Sequence, residues 1–257
     1  MAKIRKNIPL ISSLLLFALF QAVLAYPSFL YFYLFILLVV FFSLFYLTRY
    51  SLYQKKFWYL FLAPALLFSA GFVFLYFLET VFFKQALITA MAFFNWFLYK
   101  NYYRYIILDP AAKAGAENII NYVSLVTAFL FFSGFFALRI FMNMPLSWLV
   151  LLVLVLSSLL IIQNFWWSRI SLKKNWFFAF VLGLIFLEVF WAAIFLPTHF
   201  LVNGFFITLV FYVLINLFRH AILGSLNRRL LSRREEIRGM FFLILAMSIA
   251  SRLFFKI

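Results

Sequence analysis

No cysteine occurs among the 257 residues. Disulfides, thiolate metal sites and cysteine nucleophiles are therefore excluded, and cysteine usage says nothing of the redox compartment. Acid is nearly as scarce, with six Asp and Glu against 22 Lys and Arg. Asp109 is the single aspartate, so the aspartate-rich pairs that would hold Mg²⁺ against a diphosphate do not exist. The two histidines, His199 and His220, fall on opposite faces of the membrane in the topology derived below. That separation leaves no haem or zinc site and gives a serine nucleophile no base. Seven glycines, none in the spacing of a phosphate-binding loop, exclude that motif as well. No cofactor and no metal is expected.

What the chain has in abundance is apolar surface. A soluble domain is about half apolar; this sequence is 68% apolar and 11% charged, with a mean hydropathy of +1.11. A single water-soluble core cannot hide that much, so lipid must be the solvent for most of it. The net charge of +16 would ordinarily raise the question of nucleic acid. Here the basic residues lie between apolar runs, as in membrane orientation signals, and no nucleic acid is expected. The 41 phenylalanines need no aromatic pathway, because in lipid any apolar side chain serves.

About 20 apolar residues in a helix cross the hydrocarbon core, where no water is available to the backbone. Eight such spans are read at 8 to 25, 29 to 48, 57 to 78, 86 to 107, 119 to 140, 147 to 167, 176 to 196 and 200 to 218. A short ninth, 240 to 255, carries Arg252 towards its far end. The fold class is thus an all-α polytopic transmembrane bundle of eight to nine spans. The first run follows Lys3, Arg5 and Lys6 and ends in Val23-Leu24-Ala25, like a signal peptide; it is longer than a signal core and is read as a retained helix.

Basic residues are held on the cytoplasmic side. With the N-terminus inside, 18 of the 22 fall in inner segments, against Lys84 and Arg139 in outer ones before the last run. Tyr50, Tyr53, Trp58, Tyr99, Tyr102, Tyr103, Tyr105, Trp166, Trp167 and Trp176 lie at interfacial depth. The expected location is a prokaryotic cytoplasmic membrane.

An internal repeat is read from sparse anchors: Pro27 with Pro145, Lys55-Lys56 with Lys173-Lys174, and Trp58 with Trp176 are each 118 apart, and Thr89 with Thr208 is 119 apart. Units of four helices are parallel, related by an axis along the membrane normal. The expected divisions are a first half at 1–118, a second at 119–218, a basic amphipathic inner segment at 219–239 and the ninth hydrophobic segment at 240–257.

Glu188 is the sharpest candidate site, because it alone among the acidic residues lies well inside an apolar run. From Trp176 and Leu196 it stands about 18 Å and about 12 Å along the helix, near the bilayer midplane. Ionisable groups there usually face the bundle and relay protons or bind cations; a single hydrogen bond to a neighbouring helix is the plainer role. Asn95, Asn216 and Gln21 are the other intramembrane polar candidates. Such groups, and small residues four apart such as Ser133 with Ala137 or Gly204 with Thr208, ordinarily hold helices together. Arg228, Arg229, Arg233 and Arg234, interleaved with Leu226, Leu230 and Ile237, fit a helix lying on anionic headgroups of the inner leaflet. Glu235-Glu236-Ile237-Arg238 is similar to the Glu-Glu-x-x-x-Arg string of intramembrane CAAX-type proteases, but it lacks two residues and no histidine follows it.

The expected function is non-enzymatic: a membrane component that packs with a membrane-protein partner or a second copy, or that handles apolar or lipid-like molecules. A secondary transporter using Glu188 for proton coupling is the alternative. A lipid-modifying enzyme at the inner face, using Asp109, Glu117 or His220, is the third.

Overall fold

The structure is a computed structural model that describes residues 2–25, 29–48, 54–108, 113–168, 170, 172–196 and 198–224. Over these the chain is helical, with no strand among the described residues. The helices are α1 (Ala2–Ala25), α2 (Phe29–Thr48), α3 (Lys55–Leu75), α4 (Val81–Tyr103), α5 (Lys113–Met142), α6 (Leu146–Trp167), α7 (Leu172–Ile194) and α8 (Phe200–Gly224). A π-helical turn, Arg104–Leu108, extends α4. The ninth segment, the arginine cluster from Arg228 to Arg234 and Asp109 lie outside the described residues.

Among the described residues six helices are long and apolar enough to cross a membrane, and α2 and α7 hold shorter apolar stretches, Phe35–Thr48 and Ala179–Ile194. Their outward faces are as apolar as their inward ones: Phe82, Phe195 and Trp176 are 75%, 70% and 65% exposed. A water-soluble monomer rarely exposes apolar surface on that scale. The chain is therefore an integral membrane protein by the length and composition of its helices.

α5 is the central element, packing against α3, α4, α6 and α8. Around it, α1 packs on α2 and α4, α2 on α3, α6 on α7, and α7 on α8. The tightest crossing is α5 with α8. A Cβ placed on Gly204 would meet the Ser133 hydroxyl oxygen and would lie 2.6 and 2.7 Å from the backbone N and Cα of Ser133, so the two helices approach closely with only the small Ser133 side chain at the contact. Thr208 donates to the Gly204 carbonyl at 2.7 Å, which keeps its hydroxyl satisfied inside the contact.

The α5–α6 hairpin turns in three residues. Asn143 takes a left-handed φ of 50°, a conformation Asn tolerates better than most residues. The Arg139 guanidinium donates to the Met144 carbonyl at 3.0 Å, and the Pro145 carbonyl accepts from Trp148 and Leu149 to open α6. At the opposite end, α5 begins six residues before the apolar run expected at 119, and α8 continues past 218 to Gly224. A helix satisfies its own backbone in water as in lipid, so charge marks the membrane boundary without ending the helix.

Candidate functional site

Polar side chains collect first along the α1–α4 seam. Asn95 is fully buried and donates from Nδ2 to Ser12 and Ser13 at 3.2 and 3.3 Å. Nearer the other end, the amides of Gln21 and Gln85 donate to each other at 2.5 and 3.1 Å. Two of the four sequence candidates thus sit on one seam, each joining α1 to α4. Their partners were legible in depth: Gln21 lies four residues before the end of α1 and Gln85 four residues after the start of α4. A double-mutant cycle on Gln21→Leu and Gln85→Leu is expected to return a coupling of about 0.6–1.7 kcal/mol, the range of interhelical hydrogen bonds in membranes; a coupling indistinguishable from zero would show that the pair does not hold the seam.

The other two candidates lie elsewhere. Asn216 donates to the Tyr212 carbonyl of its own helix at 3.0 Å. Glu188 is exposed on α7. Asn95 and Gln21, Asn216 and Glu188 thus stand on separate faces of the bundle and do not converge on one cavity.

A second concentration lies at the end of the bundle where α3 begins and α6 ends. Trp167 is fully buried, stacks on Tyr102 with ring centroids 5.9 Å apart and planes 4° apart, and meets Tyr105 at 5.7 Å. Tyr59 stacks on Trp166 at 5.0 Å, and Lys56 lies 5.2 Å from the Tyr105 ring centre. The Tyr102 and Tyr99 hydroxyls donate to the carbonyls of Leu60 and Val40. Sequence read five of these rings, Tyr99, Tyr102, Tyr105, Trp166 and Trp167, as interfacial depth markers; with Tyr59 they also form a packed cluster joining α3, α4 and α6. Gln163, missed from sequence, donates to Ser124 Oγ across α5 and α6 at 3.1 Å. Its depth again betrays it, since Gln163 is 17 residues into α6 and Ser124 is 18 residues before the end of α5.

Glu117 of α5 pairs with Arg219 of α8. A carboxylate considered for chemistry is thereby tied to a cation at the same end. No group of three or more His, Cys, Asp or Glu that could hold a metal occurs among the described residues.

At the other end, Glu79 in the α3–α4 connection stands near His199. Partial burial draws the His199 pKa below its ordinary 6.5, and the Glu79 carboxylate opposes that shift. His199 Nδ1 also accepts from the Leu201 N–H at the start of α8, at 3.4 Å. Because the carboxylate favours the imidazolium, Glu79→Gln is expected to lower the His199 pKa further in an NMR titration; an upward shift would contradict the pairing.

One open groove runs along α4, lined by Phe82, Gln85, Ala86, Thr89, Ala90, Phe93 and Phe94.

Residues 48–248 match the family described as Protein of unknown function (DUF5656), and the chain belongs to that family. No curated protein and no solved structure matches the chain.

Proposed function

We propose that this member of the family is a non-enzymatic component of the cytoplasmic membrane that accommodates an apolar, lipid-like molecule or a partner's apolar surface along α4. The observation that carries this reading is a contrast. The amides of Gln21, Asn95 and Gln163 donate across helix seams, whereas the open groove is lined mainly by Phe82, Ala86, Ala90, Phe93 and Phe94, and its two polar residues, Gln85 and Thr89, donate to Gln21 and to the Gln85 carbonyl. A hydrophilic solute would find few polar groups in the groove; an acyl chain would find mostly apolar surface.

The N-terminus and the dilysine connectors lie at the cytoplasmic face in this reading, supported by the basic residues gathered at one end of the bundle. The arginines between Arg228 and Arg234 then meet anionic headgroups of the inner leaflet. Two parallel four-helix halves, the second beginning with α5 at Lys113 rather than after residue 118, are supported by neighbour relations that recur in order. α1 packs on α2 and α4 as α5 packs on α6 and α8, and α3 joins α2 to α4 as α7 joins α6 to α8.

The test uses liposomes containing a phospholipid with a photoactivatable acyl chain. Label is expected to concentrate on residues 82–94 and to fall several-fold in Ala86→Trp and Ala90→Trp. Label spread evenly around the bundle contradicts the reading. In the same liposomes, proton flux is expected at background for both the native protein and Glu188→Gln; flux that Glu188→Gln abolishes would establish the transporter instead.

A further inference from the structure

The outward face of α7 carries a stripe with regular spacing. Phe177, Phe180, Leu184, Trp191 and Phe195 are all exposed, and Glu188, also exposed, lies within the same series. The steps of three, four, four, three and four residues describe one seam of a helix that meets another helix along its length. Facing lipid, such a stripe is unremarkable except at Glu188. A carboxylate turned towards acyl chains near the midplane has neither water nor a countercharge, and ionisable groups at that depth are ordinarily paired. The face therefore calls for a helix that brings a cation to the level of Glu188.

The chain supplies one. Residues 240–257 follow the end of α8 and carry two basic residues, Arg252 within the apolar run and Lys256 at its end. α8 returns to the end of the bundle from which α7 starts, so a run entering the membrane after Gly239 travels parallel to α7. The depths agree: Glu188 stands 14 residues beyond Lys174, the last basic residue before its run, and Arg252 stands 14 residues beyond Arg238, the last before its own. Counting residues from the ends of the helices likewise matches two bonds seen in the structure, Gln21 with Gln85 and Gln163 with Ser124. The side-chain pattern agrees as well. In the same register Phe177, Phe180, Leu184, Glu188 and Trp191 meet Phe241, Ile244, Ser248, Arg252 and Phe255, the small Ser248 leaving room beside Leu184.

We propose that residues 240–257 form a ninth membrane helix that docks along the exposed stripe of α7 and pairs Arg252 with Glu188. The pair gives each charge its countercharge at the depth where lipid offers none. It also assigns Glu188 a structural partner within its own chain and leaves it no part in proton relay.

Because the chain has no cysteine, introduced thiols report alone. The full-length protein with a C-terminal epitope, in native membranes, would carry Leu184→Cys with Ser248→Cys and be oxidised with copper phenanthroline, then cut by a site-specific protease at a recognition sequence inserted after Asn227. The epitope fragment is expected to stay attached to a single chain until reduced. Leu182→Cys, from the buried side of α7, paired with Ser248→Cys should give at least fivefold less. In the on-face pair, Glu188→Arg should lower the yield at least threefold, and Glu188→Arg with Arg252→Glu should restore it. The cross-link itself needs no charge substitution, so a Glu188 variant that fails to fold leaves the primary test intact. A disulfide joining two chains would show that a second copy covers α7, and equal yields for the on-face and off-face pairs would show that nothing specific does; either overturns the proposal.

Discussion

Gly204→Ala is expected to destabilise the protein by about 2–3 kcal/mol, the upper part of the usual cost of overpacking. The added methyl would meet the Ser133 backbone N and Cα at 2.6 and 2.7 Å. Backbone cannot swing aside as a side-chain terminus can, so α5 and α8 must separate along the crossing that also buries Ala137 and Thr208. Helices in lipid associate chiefly through close packing, so the separated pair keeps the Glu117–Arg219 ion pair at one end but loses its tightest contact. Two other glycines calibrate the result. At Gly71 the obstacle is the end of the Met91 side chain, which is flexible and can move, so Gly71→Ala should cost less than half as much. At Gly183 a Cβ meets nothing within 4 Å, and Gly183→Ala should stabilise by up to about 1 kcal/mol through helix propensity. Unfolding titrations in mixed micelles would rank the three; equal effects at Gly204 and Gly183 would show that the α5–α8 crossing is looser than described.

Trp167→Ala is expected to cost about 3–5 kcal/mol, as large-to-small changes at buried aromatics do. The ring is fully buried and touches Tyr102, Tyr105 and Trp166, so its removal opens a space where α4 and α6 meet. Trp167→Phe should lose only about 1–2 kcal/mol, because it keeps the stack on Tyr102 and the indole Nε1–H has no hydrogen-bond partner to forfeit. The same titration checks both. A phenylalanine variant as unstable as the alanine variant would mean that the N–H, and not the ring, is what the site needs.

Position along each helix was the quantity most legible in the sequence, and rotation about the helix axis the least. All eight expected spans are helices at nearly the expected positions, because lipid forces each apolar run to satisfy its own backbone. The ends departed where charge, not lipid, was the signal, as at Glu117 and Arg219, which ride on helices extended beyond the apolar runs and pair with each other. Facing is different. In water an amphipathic stripe shows which side of a helix is buried, but lipid and protein interior are equally apolar, so α7 reads alike all round. Hence the level of Glu188 could be counted, while its outward direction could not. For the same reason Ser133 with Ala137 and Gly204 with Thr208 were each visible as small pairs, but not that Ser133 and Gly204 face each other.

The arrangement of the chain in the membrane can be measured directly by labelling single cysteines, in a protein that has none, with a membrane-impermeant thiol reagent on sealed inverted vesicles and on intact cells. Ser51→Cys and Ser171→Cys, beside the two dilysine pairs, should react only in the inverted vesicles, and Thr80→Cys, Asn143→Cys and Thr198→Cys only on intact cells. Labelling of Ser51→Cys and Ser171→Cys from opposite sides, or of all five from one side, would contradict a bundle of membrane-crossing helices with its basic connectors on a single face.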